Sequence, residues 1–529
     1  AQVPATCKVI RPTSRRPMPC LRLLLFACLS SRLAALAWGQ RAATRHYVNQ
    51  RRFPEARCID GTPPVYYLRP APQAEAAAHR RRWLISLQGG SSCTVGASAK
   101  WPKDPVYSGA ASEALVPLDC ADRAQGSLGS SAGDPPEKDV SYKEILSPDP
   151  ARNPVFHDWN IAFGRYCDGS GWSSATDVVA SEESVNRTYH FRGAGNVMGI
   201  VQSLLAFHGM GVAEEVILHG CSSGAHGALA LGDRVRAALP PRTLFAVLAD
   251  SAVYFENAHP FAVHDPQIWQ KYFDQAVFAA ARDSKALGFT DLTHALANYD
   301  AQLAPFQPSV LQAVYQARRR TTEWLDNVTV YAECTDFVAF ALGLRPRDTD
   351  YICHSPGFQV AFGTVPVFVL NSVYDSWSNF KKDSSVLCGA KETAAKGMLG
   401  REAEAQLAWS MEQRQRRLPG VPAWAFFDHC PHHCMRWHEL WDSEGRSTNA
   451  DYVSEWLSSV RRWHAAVVGG AGRDDGAPGP ESHVRVVWQR RGAPPCAECC
   501  GPQCWPERQP PPQGRGRCLS GQGVQCARI

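Results

Sequence analysis

The chain is predicted to fold as an α/β protein with a mainly parallel sheet flanked by helices. Three observations predict it. Short apolar runs rich in β-branched and aromatic residues recur through the chain; segments of helical length lie between them; and one such run passes through two glycines directly into a helix.

Residues 83–87 (WLISL), 216–218 (VIL), 244–248 (LFAVL) and 365–370 (VPVFVL) read as strands buried on both faces. Residues 423–427 (AWAFF) are strand-like as well. Residues 191–208 and 225–239 read as helices. No internal repeat is present.

The 529 residues are 45% apolar, enough for one large core. Residues 1–39 hold Lys8, Arg11, Arg15, Arg16, Arg22 and Arg32 and no acidic residue, so removing these six from the chain's +5 leaves a body near −1. Such a body gives no electrostatic case for nucleic acid. Met18 is the expected start, with residues 1–17 an upstream extension. Residues 23–29 then form the apolar core of a secretory signal, and Ala35-Leu36-Ala37 its cleavage site. Arg22 and Arg32 bracket a run far shorter than the ~20 residues of a membrane span, so no stable membrane insertion is expected.

Residues 40–468 are expected to form the main domain, 469–480 a Gly/Asp/Pro linker, and 481–529 a separable Cys/Pro/Gly-rich extension with a short strand at 484–488. Of 19 cysteines, Cys7, Cys20 and Cys28 precede the domain. Ten lie between Cys58 and Cys434, and six between Cys496 and Cys526. In an exported chain these read as disulfides. Zinc at Cys496, Cys499, Cys500 and Cys504 is the weakest reading of the tail. Asn186 and Asn327 lie in N-x-T sequons suited to glycans.

The chemistry centres on Ser222. Gly220-Cys221-Ser222-Ser223-Gly224 fits G-x-S-x-G between strand and helix, the nucleophile elbow of α/β-hydrolases. A serine hydroxyl needs a histidine base and a carboxylate to orient it, in the chain order serine, acid, histidine. Asp375 follows the 365–370 strand, and His433 follows 423–427 within Cys430-Pro431-His432-His433-Cys434. A Cys430–Cys434 link, or links to other cysteines, would fix that loop. Asp250, His429, His432 and His438 are rivals, and His226 is a structural or pocket-lining residue. The oxyanion requires fixed amides. These are assigned to Ser223 and to Gly90 and Ser91, in the turn after 83–87.

Taken together, these motifs resemble the pectin acetylesterases, whose relatives include the Notum carboxylesterases. Cys58-Ile59-Asp60-Gly61-Thr62-Pro63-Pro64 is similar to the family's CxDGSPP, and Leu87-Gln88-Gly89-Gly90 with Cys93 to its LEGGGWC. Asn153-Pro154, Trp159-Asn160 and Tyr166-Cys167-Asp168-Gly169 resemble NP…NWN…YCDG, and Phe191-Arg192-Gly193 its FRG. The elbow resembles GCSAGG, Asn371-Ser372 with Tyr374-Asp375-Ser376-Trp377 resembles NSxYDSW, and Cys430 with His433-Cys434 resembles CFAHC. The resemblance implies a modified α/β-hydrolase fold with Ser222, Asp375 and His433 as its triad, and no metal or cofactor. It also implies an acetylated, pectin-like polysaccharide as substrate, and with the signal segment a secreted, extracellular or cell-wall protein is expected, acting as a monomer. Four positions depart from the pattern: Gln88 for glutamate, Ser91-Ser92 for Gly-Trp, and Ala225 for the second elbow glycine. They bear on acyl and polymer preference. A Notum-like deacylase acting on a fatty-acylated protein is the second reading. An inactive glycan-binding or adhesion protein is the third.

Overall fold

The computed structural model describes residues 42–72, 81–95, 118–141, 144–150, 152–182, 185–252, 327–342, 345–372, 375, 410–428, 433–434, 450–469 and 484–488. Its first strands are β1 (Ala43–Tyr47), β2 (Val65–Arg69), β3 (Arg82–Leu87), β4 (Cys93–Thr94), β5 (Leu118–Asp119), β6 (Glu137–Lys138) and β7 (Asn160–Gly164). A hairpin, β8 (Thr176–Glu182) and β9 (Val185–Phe191), follows. The remaining strands are β10 (Glu215–Cys221), β11 (Leu244–Asp250), β12 (Val367–Ser372), β13 (Ala423–Asp428) and β14 (Val484–Trp488). The helices that matter here are α1 (Cys120–Gln125), α2 (Gly193–Phe207), α3 (Ser223–Ala238) and α4 (Ala450–Gly469).

One ten-stranded sheet has the order β14-β13-β12-β11-β10-β3-β7-β2-β1-β6. From β14 to β7 every neighbour pair is parallel. Pairing turns antiparallel only at the β2-β1-β6 end. The expected α/β architecture is therefore the one adopted. Strand ends shift by a few residues: β10 runs on to Cys221, β11 to Asp250, and β12 starts at Val367. Phe191 closes β9, so the helix expected at 191 begins at Gly193.

Both sheet faces are buried, which explains the continuous apolar runs. Val216 and Leu218 point to one core layer with Ile85, Val247, Val369 and residues of α2 and α3. Ile217 points to the other, with Leu84, Leu248, Phe368, Trp159 and Trp463 of α4. The strand expected at 484–488 pairs with β13 and lies at the edge of this same sheet. The main sheet thus includes a strand from beyond the 469–480 segment.

Eight of the ten body cysteines form four disulfides: Cys58–Cys167, Cys93–Cys120, Cys221–Cys434 and Cys334–Cys353. Cys388, Cys430 and the tail cysteines lie outside the described residues. Of the two options considered from sequence for Cys434, a link to Cys430 or to another cysteine, the structure has the second, Cys221–Cys434, because the 433–434 segment lies beside the carboxyl end of β10. Among the described residues no helix is long and apolar enough to cross a membrane.

Candidate active site

Ser222 sits between β10 and α3 at φ 57°, ψ −127°. A non-glycine residue in that region costs roughly 1–3 kcal/mol, which its surroundings must supply. The flanking glycines explain how the turn closes. A methyl group on Gly220 would lie 2.5 Å from Ala225 N and overlap the Gly224 carbonyl. One on Gly224 would strike Leu87 and lie 3.0 Å from the Gln88 carbonyl. The first turn of α3 is thus seated on the ends of β10 and β3. Ser222 N donates to the Asp250 carbonyl at 2.9 Å, so β11 holds the elbow from the other side.

The structure brings the acid and base candidates together. His433 Nδ1 donates to Asp375 Oδ2 at 2.8 Å, and the Asp375 side chain is buried. With the Nδ1 proton donated to the carboxylate, a neutral imidazole carries its lone pair on Nε2. The residue after His433 is disulfide-bonded to the residue before Ser222. This bond ties the His433 loop to the strand that ends beside Ser222 across 213 positions. Cys434 N also donates to Ser251 Oγ at 2.8 Å, and Ser251 Oγ donates to Asp250 Oδ1 at 3.0 Å. Asp250, the rival acid, therefore braces the loop through Ser251. His429, His432 and His438 lie outside the described residues. His226 is buried, its Nε2 at 2.6 Å from the His354 carbonyl and its ring beside that of His354.

The turn after β3 lies against Ser222. A Cβ on Gly89 would be 2.7 Å from the Cys221 carbonyl and 2.9 Å from Ser222 Cβ. Ser91 has φ 59°. The Gln88 side-chain oxygen accepts from Tyr166 N at 3.2 Å and from Arg165, which also pairs with Asp134 at 2.8 Å. The Gln88 side-chain amide thus has an arginine partner.

Among the described residues, five non-glycine positions have positive φ: Ser91, Trp172, Ser222, Ser251 and Cys434. All belong to this site or brace it, as expected where surrounding structure enforces strain for function. Trp172, Ser251 and Arg123 escaped sequence reasoning, and Tyr166 entered it only as part of a motif. Trp172 and Tyr166 carried a signal in their glycine-rich run. Ser251 carried none, because its role exists only once Cys434 arrives beside it.

Comparison with known proteins gives a consistent setting. Residues 39–287 match the family model described as Pectinacetylesterase. Pectin acetylesterase 5 of Arabidopsis thaliana is 31% identical over 219 residues, 41% of this chain and 44% of that protein. Pectin acetylesterase 7 of the same plant is 30% identical over 245 residues, 46% of this chain and 54% of that protein. The human palmitoleoyl-protein carboxylesterase NOTUM is 29% identical over 218 residues, covering 38% and 34%. This chain spans about half the length of the plant relatives it matches. The crystal structure of the Wnt deacylase Notum from Drosophila superposes over 82% of this chain and 95% of its own, with a TM-score of 0.50 at 18% identity, a likeness of fold. The matched family region contains Ser222 and the Gly90–Ser91 turn; Asp375 and His433 lie beyond it.

Proposed function

We propose that this relative of the pectin acetylesterases and Notum carboxylesterases is a secreted serine carboxyl-ester hydrolase that deacetylates a pectin-like polysaccharide. The observation that carries the reading is the Cys221–Cys434 disulfide. It binds a strained serine elbow to a loop whose histidine already donates to a buried aspartate.

Ser222 Oγ attacks the ester carbonyl carbon while His433 Nε2 takes its proton. Asp375 holds the imidazole in the required tautomer and offsets the imidazolium charge. The amides of Ser223, Gly90 and Ser91 receive the oxyanion. Collapse breaks the carbon–oxygen bond to the sugar, whose oxygen takes the proton from His433. Water, deprotonated by His433, attacks the acyl-enzyme and releases acetate and free Ser222. The residues supply nucleophile, base and donors without a cofactor. Four disulfides among the described residues suit an oxidising compartment. The similarity to NOTUM supports a second reading, hydrolysis of a longer acyl ester.

The test compares acetate release from acetylated pectin with hydrolysis of a long-chain acyl ester, for wild type and Ser222→Ala. Serine-dependent acetate release with little long-chain turnover is expected. Preference for the long chain would move the assignment to the second reading. Turnover unchanged in Ser222→Ala would remove the mechanism.

A further inference from the structure

In the turn after β3, three carbonyls are held from behind by side chains outside the turn. The Gln88 carbonyl accepts from Trp172 Nε1 at 2.9 Å, the Gly90 carbonyl from Arg123 Nη2 at 2.6 Å, and the Ser91 carbonyl from the Tyr166 hydroxyl at 2.6 Å. In a planar trans peptide the carbonyl and the following N–H point in opposite directions. Each grip therefore aims the next amide, that of Gly89, Ser91 or Ser92, away from the side chain holding it. Arg123 and Tyr166 together hold the peptides on both sides of Ser91, the residue kept at φ 59°.

The grips are themselves braced. Tyr166 OH accepts from Gly171 N at 2.7 Å, so its single proton is directed to Ser91. Its ring fills the space where a Gly90 side chain would stand, 2.9 Å from Cε1 to an added Cβ. The Arg123 guanidinium lies over that ring, 5.5 Å from its centroid. Arg123 belongs to α1, which Cys93–Cys120 ties to the segment two residues past Ser91. Tyr166 precedes Cys167, which is bonded to Cys58. Amides fixed in advance stabilise an oxyanion without reorganising, and an error near 1 Å in such placement costs about a hundredfold in rate.

We infer that Arg123 and Tyr166 are positioning residues for the oxyanion, setting the direction of the Ser91 amide by holding the carbonyls of the peptides on both sides of Ser91. The inference rests on the esterase reading. Its signature is a loss confined to the transition state, since a ground-state ester makes little use of these amides.

The experiment uses the full chain with p-nitrophenyl acetate and, as a tetrahedral mimic, a short alkylboronic acid. The variants are Tyr166→Phe, Arg123→Met and Arg123→Lys. Tyr166→Phe keeps the ring against Gly90 and loses only the hydroxyl. Its kcat is expected to fall about 10- to 100-fold with KM within about twofold, and boronate affinity to weaken by the same factor. Arg123→Met should behave alike, and Arg123→Lys, which retains a donor, should keep more activity. A kcat within twofold of wild type in Tyr166→Phe and Arg123→Met overturns the inference. So does a loss seen only in KM, or a loss that follows the unfolded fraction in thermal melts while boronate affinity per folded molecule is unchanged. A wild type without Ser222-dependent turnover, and unlabelled by a fluorophosphonate, overturns the esterase reading and this inference with it.

Discussion

The nucleophile side and the acid–base side of the site are held in different ways. Ser222 and the turn after β3 stand on three adjacent parallel strands, with glycine packing, an α3 start and the Arg123, Tyr166 and Trp172 contacts around them. Asp375 and His433 stand past the ends of β12 and β13. Their described ties are the His433–Asp375 hydrogen bond, Asp375 N to the Ser372 carbonyl at 3.2 Å, the Cys434 contact with Ser251, and the Cys221–Cys434 bond. The first side is positioned by the sheet itself. The second is joined to it by contacts made beyond the strand ends, the Cys221–Cys434 bond among them. Substitutions should separate the two: those on the nucleophile side act on the chemistry of a fixed frame, and those on the other side act on whether the base arrives.

The largest effect is expected at the fixed frame. Ser222→Ala should lower turnover of a small ester on the order of a million-fold while the melting temperature holds. Relief of the strained φ is modest, since alanine also disfavours +57°. A residual rate within a hundredfold of wild type would place the nucleophile elsewhere. Across the site, Asp375→Asn should cost about ten-thousandfold, because an amide can hold the wrong imidazole tautomer. The check is a single-turnover acylation rate; an unaffected rate would leave Asp375 a structural partner only.

How much of this was legible in sequence follows the same division. The elbow is local: a strand, two glycines and a helix within about ten residues, each enforced by steric contact, so G-x-S-x-G placed Ser222 correctly between β10 and α3. The parallel sheet was legible because strands buried on both faces leave continuous apolar runs. The Asp375–His433 contact spans 58 positions and was reachable only through the ordering of motifs. Ser251 and Arg123 were invisible, because a serine after a strand and an arginine in a short helix gain meaning only from backbone groups that folding brings to them. The partner of Cys434 was left open between Cys430 and other cysteines, because only the sheet order, which sets β10, β11, β12 and β13 side by side, makes Cys221 its neighbour.

That bond gives the sharpest contrast between the sides. Removing both cysteines with Cys221→Ala and Cys434→Ala should cost about 2–5 kcal/mol of stability. It should also lower kcat about 10- to 100-fold under conditions where the protein remains folded, since His433 loses a neighbouring restraint. The control is Cys334→Ala with Cys353→Ala, whose bond closes a separation of 19 at a different core layer. That pair should lose stability with kcat preserved per folded molecule. Equal kcat losses in the two pairs would mean that reduction acts through general loosening and not through the base loop.

The smallest effect tests the frame by pH. Asp168 is completely buried next to Gly193 at the start of α2. Burial pushes its carboxyl up to about 6, against the lowering influence of hydrogen bonds from Ser170 and of nearby Arg123. An unfolded aspartate titrates near 3.9, so between about pH 4 and 6 the folded state binds more protons than the unfolded one, and stability falls as pH rises through that window. Below it the penalty is absent; above it the penalty is complete, on the order of 3 kcal/mol. Asp168→Asn, which cannot ionise, should remove this part of the slope. The difference in melting temperature between variant and wild type should therefore shift in favour of the variant from pH 4 to pH 7, while kcat at pH 7 changes less than tenfold. Parallel melting curves across that range would show that the charged carboxylate is as well accommodated as the neutral one. The Asp168 turn would then owe its position to Ser170 and the Cys58–Cys167 bond, with no contribution from the protonation state of the acid.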